Sequence, residues 1–211
     1  ISRRAFFCCS SLAGILNLAQ FQNLIEIGEQ AFLGCKSLVG ELTFPMSLVN
    51  IGDEAFIDCR FSGSLFIPDS VKSIGKHAFF GCKEFNGMVV IGDGCESIGE
   101  SAFAQCVGLT GSITIGNNVT SIGARAFFGC ISLTGNLEIP KSVITIGESA
   151  FANCHKLSGS LILYEGLETI GVGAFCECAN LSGILTLPSS LKTIGSMAFF
   201  RCTGIKDIDF Q

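Results

Sequence analysis

Apolar and polar positions along this chain recur with a step of 24 residues from Phe32 onward, with one step of 23, and the first step is 26. One coil serves as the pattern. Leu109-Thr-Gly-Ser-Ile113-Thr-Ile115 alternates apolar and polar residues near its end, the period of a strand with one buried face. Gly116-Asn117-Asn118 is a turn by composition. Val119-Thr-Ser-Ile122-Gly123 reads as a second short extended piece, with Gly123 placed at a corner that asks for positive φ, where glycine carries no Cβ penalty. Ala124-Arg-Ala126-Phe127-Phe128-Gly129-Cys130 is too short for an independent helix and predicts a single helical or 3-10 turn.

The remaining coils fill the same slots. The first strand holds Leu16/Leu18, Leu42/Phe44, Leu65/Ile67, Val89/Ile91, Leu137/Ile139, Leu161/Leu163 and Leu185/Leu187. Pro45, Pro68, Pro140 and Pro188 follow it and end the ladder, having no N–H to donate. Ser73, Ser97, Ser121, Thr145, Thr169 and Thr193 precede the recurring Ile, and their stacked hydroxyls are expected to satisfy backbone groups at the corner. Ala-Phe recurs nine times, from Ala5-Phe6 to Ala198-Phe199, with a cysteine three residues beyond each phenylalanine: Cys9, Cys35, Cys59, Cys82, Cys106, Cys130, Cys154, Cys178 and Cys202. A period in this range is the mark of a stacked array, because one coil cannot bury its own apolar face. Residues 1–211 therefore read as one elongated domain of eight to nine coils of 23–26 residues. At ~4.8 Å per coil it is a rod roughly 40 Å long. The chain opens inside a repeat, with no start methionine or signal peptide, and is expected to be a piece of a longer array. The exposed end coils are a candidate for self-association. The last segment, Ile205 to Phe210, reads as a strand whose Asp207 and Asp209 discourage edge pairing.

The repeat L-x-x-(x)-I-x-I-P-x-S-V-x-x-I-G-x-x-A-F-x-x-C resembles the BspA-like, or treponemal, class of leucine-rich repeats. The copy that follows it most fully runs Leu65-Phe-Ile-Pro68-Asp-Ser-Val71-Lys-Ser-Ile74-Gly75 to Ala78-Phe79 and Cys82. The resemblance implies a right-handed leucine-rich-repeat solenoid, mostly β, with a parallel sheet on one face and short helical or 3-10 turns on the other. It further implies a surface or secreted protein that binds proteins, including host matrix or cell-surface proteins.

Composition narrows the chemistry. Apolar residues make up 48% of the chain, charged residues 15%, and the net charge is −5. That composition is not that of a disordered chain, and it offers no basic patch for nucleic acid or anionic lipid. No apolar run is long enough to insert in a membrane. The cysteines stand 23–26 residues apart, unlike the close pairs of a zinc site, and read as an inward column of small apolar thiols, with a disulfide array as the alternative. Cys95 replaces a core Val or Leu, Cys176 lies near the surface, and Cys8 stands beside Cys9. His77 and His155 occupy different slots, without a second ligand nearby, and no catalytic or phosphate-binding motif occurs, so neither an enzyme nor a cofactor is expected. Two sequons, Asn118-Val-Thr120 and Asn180-Leu-Ser182, are candidate glycosylation sites.

The face of the first strand remains. Phe66, Met88 and Val90 fall on adjacent coils, as do Ile162, Tyr164 and Ile184, with Tyr164 the only tyrosine. These six are either interaction patches or residues favoured by β-propensity alone. The expected function is a non-enzymatic recognition or adhesion module acting through this face; the alternative is a structural spacer with no dedicated binding face.

Overall fold

The computed structural model describes residues 1–210, which form a β-solenoid of stacked coils with no helix among them. Each coil contributes two extended pieces. The first series comprises β1 (Gly14–Asn17), β3 (Leu38–Thr43), β5 (Leu65–Ile67), β7 (Val89–Ile91), β9 (Ile113–Thr114), β11 (Leu137–Glu138), β13 (Leu161–Ile162), β15 (Gly183–Leu187) and β17 (Ile205–Phe210). The second comprises β2 (Glu26–Ile27), β4 (Asn50–Ile51), β6 (Ser73–Ile74), β8 (Ser97–Ile98), β10 (Ser121–Ile122), β12 (Thr145–Ile146), β14 (Thr169–Ile170) and β16 (Thr193–Ile194).

The continuous ladder is made by the second series. Its eight two-residue strands form one parallel sheet in the order β2 to β16, with Ile122 registered against Ile98 and Ile146. The first series breaks into β1–β3, β5–β7–β9, β11–β13 and β15–β17. The break after β3 falls at the coil that is one residue short. The break between β9 and β11 coincides with a change of backbone: Gly135, Gly159 and Gly183 lie at positive φ and Gly111 does not.

The segment expected as a helical or 3-10 turn is a run of hydrogen-bonded turns. The N–H groups of Ala126, Phe128 and Cys130 donate three residues back, to Gly123, Arg125 and Phe127, as in a 3-10 turn. The alternate N–H groups of Arg125, Phe127 and Gly129 instead donate to Glu148, Ala150 and Ala152 of the next coil. Arg125 at φ 56° stops a right-handed helix from propagating, and Gln30, Glu54, His77, Ser101, Ser149 and Met197 adopt the same left-handed conformation in the same slot.

Gly123 does not take the expected positive φ. Its slot needs glycine for contact: a Cβ there would lie 2.7 Å from the Glu100 nitrogen of the preceding coil. The expected hydroxyl column is corrected too. The Ser/Thr before each Ile sits in a ladder whose backbone is already paired, and Ser73 bonds only the Asn50 side chain. Hydroxyls three residues earlier do reach backbone carbonyls of the preceding coil, Ser47 to Leu24, Ser142 to Val119 and Ser190 to Leu167, as does Thr120 to Glu96.

Between the two series lies the core. The Ala-Phe phenylalanines stack ring on ring along the rod, with centroids 5.0 Å apart and planes 5° apart for Phe103–Phe127 and similar values from Phe6 to Phe199. Each such pair contributes about 0.5–1.5 kcal/mol beyond its area burial. Phe61 and Phe85 take the leucine slot that opens the first strand and are fully buried. The ends depart from this order: Leu16 is only partly buried, and Cys9, expected in the buried column, is exposed, because coil 1 has no described coil in front of it.

Candidate functional site

The site has to be sought on the first strand series, where the sequence departs from its own rhythm. Phe66 and Val90 are cross-strand partners on β5 and β7, and Thr114 of β9 continues their row. Met88 lies two residues before Val90 and so points to the same side. Phe66 is 58% exposed and Met88 41%, while Val90 is half-buried between its neighbours. The structure thus brings this trio together as one apolar patch on a regular three-stranded sheet. The ladder fixes the backbone that carries Phe66 and Val90, so no main-chain freedom is lost there on meeting a partner.

The second trio is less united. Ile162 pairs with Glu138 across β11–β13 and is half-buried. Tyr164 reaches back over the same strand pair: its hydroxyl donates to Glu138 Oε1 at 2.6 Å, and Lys141 Nζ stands 5.1 Å from its ring centroid. The hydrogen bond to Glu138 pushes the Tyr164 hydroxyl above its ordinary pKa. Ile184, 61% exposed, lies in β15, a separate sheet from β13, and faces Asp207 of β17. Sequence reasoning passed over Ile15 and Val39, which are exposed cross-strand partners on β1 and β3. The register shifts between Ile15 and Asn17 because β3 runs from Val39 to Thr43 over the same stretch, two residues longer than its partner.

The cysteine column is chemically quiet. All twelve cysteines are free. Cys95 donates to Ser97 in its own coil, whereas each thiol of the column from Cys35 to Cys202 donates to the carbonyl of the phenylalanine one coil back, as Cys130 does to Phe103 at 3.1 Å. That carbonyl already accepts an N–H within its own coil, so the thiol takes its second lone pair. Burial pushes the Cys130 thiol up to about 12 and the Cys95 thiol to about 11. A nucleophile or metal ligand must be a thiolate, which this environment suppresses. Cys95 is buried in the core and Cys176 is half-buried. His155 Nδ1 meets the Glu177 carbonyl at 3.0 Å, and His77 packs against Phe80. Among the described residues no three His, Cys, Asp or Glu side chains group as metal ligands. Of the two sequon asparagines, Asn118 is exposed, whereas the Asn180 amide is tied to the His155 carbonyl.

Comparison with known proteins follows the fold. A profile described as the BspA type leucine rich repeat region matches residues 1–134 and 133–211, in six copies. A leucine rich cell surface protein of Faecalibacterium prausnitzii A2-165 superposes with a TM-score of 0.57 at 24% identity, over 99% of this chain and 68% of its own. The T. pallidum leucine-rich repeat protein superposes with a TM-score of 0.57 at 27% identity, over 86% of this chain and 70% of its own. No curated protein matches the sequence.

Proposed function

This chain belongs to the BspA-type leucine-rich repeat family, and from that premise we propose that it is a non-enzymatic protein-recognition or adhesion scaffold of a cell-surface or secreted protein. It engages host matrix or cell-surface proteins through the face that carries Phe66, Met88 and Val90. The observation that carries this reading is Phe66 itself: an aromatic ring more than half exposed in a slot that holds Thr114, Glu138 and Thr186 in other coils. The ladder forms equally well with those polar residues, so the fold does not require a phenylalanine there. Exposed apolar patches on a rigid frame are what protein interfaces are built from. The cell-surface description of the F. prausnitzii protein supports the proposed location.

The test is a binding panel of extracellular-matrix and serum proteins against the immobilised chain. Phe66→Glu is expected to weaken binding of the captured partner by about tenfold or more while leaving the melting temperature unchanged. Charged substitutions at Phe66 and Tyr164 that leave every partner's affinity unchanged would remove the site from consideration. Loss of function only on deletion of whole coils would identify the array as a spacer.

A further inference from the structure

The apolar patch of Phe66, Met88 and Val90 has a charged rim, and the rim is of one sign. Asp69 and Asp93 follow Phe66 and Val90 by three residues, in the turns that leave β5 and β7, and both are exposed. Glu41 of β3, also exposed, closes the opposite edge: its side chain lies against Gly63, two residues before β5, where an added Cβ would meet Glu41 Cγ at 2.9 Å. The same slots two coils on show that the turn residue reaches the strand face. There Lys141, in the slot of Asp93, and Glu138, in the slot of Val90, both meet Tyr164. Among the described residues none of the three rim carboxylates takes part in an ion pair, whereas Glu84, Glu96 and Glu148 each have a Lys or Arg one coil away. Asp69 Oδ1 accepts the Asp93 N–H, and Asp93 Oδ1 accepts the Asn117 N–H. Those bonds use one oxygen and need no charge, for Asn117 itself fills the slot on the next coil. Two carboxylates one coil apart repel each other, so the rim favours whatever brings positive charge to it.

We propose that the protein segment recognised by this face carries an apolar side chain flanked by Lys or Arg. The apolar group sits on Phe66, Met88 and Val90, and the flanking cations meet Asp69 and Asp93 on one side and Glu41 on the other. An apolar centre with a charged rim is the anatomy of a protein interface, and the sign of the rim selects the partner. A glutamate or aspartate flank would set like charges together at the edge of the contact. The second patch has no comparable rim: Glu138 accepts the Tyr164 hydroxyl, and Glu165 accepts the N–H groups of Ser189 and Ser190. This inference rests on the strand-face reading above and names the chemistry of its partner.

Three synthetic peptides with one Leu-Phe-Leu centre and flanks of lysine, serine or glutamate test it by fluorescence anisotropy. At low ionic strength the lysine peptide should bind about tenfold or more tighter than the glutamate peptide, with the serine peptide between them. In salt of about 1 M, where charges are screened beyond about 3 Å, the gap should narrow to about twofold. Asp69→Asn with Asp93→Asn keeps the backbone bonds and should weaken the lysine peptide by about threefold or more. Glu26→Gln with Glu100→Gln removes the same charge away from the patch and should change little. Phe66→Ser should weaken all three peptides alike. Equal binding of the three peptides, lost on Phe66→Ser, would keep the face and overturn its selection by charge. Lysine-peptide binding that survives Phe66→Ser, or that the Glu26 and Glu100 pair weakens as much as the Asp69 and Asp93 pair, is general attraction to an acidic chain and overturns the proposal. A preference for glutamate flanks, or no binding of any peptide, overturns it as well. Whether the face binds protein at all is judged separately, by the matrix and serum panel with Phe66→Glu.

Discussion

Coil 1 and coil 6 carry the same motif and meet different fates. Phe127 and Cys130 are fully buried, whereas Phe6 is 39% exposed and Cys9 lies at the surface. Phe127 stacks on Phe103 and Phe151; Phe6 stacks on Phe32 alone. The difference lies outside the coil. A side chain here is ordered by the coils before and after it, so stability grows with neighbours and fades at the ends.

Five substitutions probe that contrast. The largest effect is expected at the ring stack: Phe127→Ala should cost about 3–5 kcal/mol, and Phe6→Ala only about 1–2 kcal/mol, read by denaturant unfolding. Equal losses at the two positions would break the comparison. At the corner, Gly123→Ala forces a Cβ against the backbone of the preceding coil and should cost about 1–3 kcal/mol, with a matching drop in melting temperature. Substituting Ala at Gly14, where an added Cβ meets nothing within 4 Å, lacks that clash, although its φ of 110° adds a local strain of its own. The smallest effect has the opposite sign. Arg125→Gly relieves a left-handed residue and should stabilise by up to about 1 kcal/mol.

The thiols sharpen the comparison through pH. Burial raises the column cysteines from Cys35 to Cys202 above their ordinary value of 9.0, Cys130 to about 12. The folded chain therefore keeps protons that the unfolded chain releases. The stabilisation is fully present below pH 9 and is lost as pH rises toward about 12. Thermal melts should shift downward across that window. In a Cys130→Ala chain the shift should be smaller, and the chain should be less stable at neutral pH by about 1 kcal/mol for the lost thiol-to-carbonyl bond.

Much of this was legible in the sequence because a period of 24 puts equivalent residues in one column. The Ala-Phe pairs from Ala31-Phe32 to Ala174-Phe175, Cys95 and the alternating apolar pairs from Leu42/Phe44 to Leu185/Leu187 landed in the core on that argument alone, and only the end coils departed from it. What stayed hidden has physical reasons. The continuous ladder is only two residues wide per coil, as at Ser121–Ile122, too short for alternation to show. The left-handed slot holds Arg125, Glu54, His77 and Met197, a set with no shared chemistry, so no residue type announces it. The corner glycines are fixed by contact with the preceding coil, which local rules read as a turn requirement. At the candidate site, Phe66 and Val90 were placed side by side correctly by the period. Ile184 was grouped with Ile162 and Tyr164 although the strands carrying them belong to separate sheets.

Site-resolved alkylation of residues 1–211 alone, folded and dilute, tests most directly whether neighbouring coils set the order of each slot. Cys9 and Cys130 occupy one slot of one repeat and differ only in having a coil in front. Cys9 should react at the rate of an open thiol, and Cys130 about a hundredfold more slowly or less. Comparable rates at the two positions would contradict the stacked architecture from which the rest is argued.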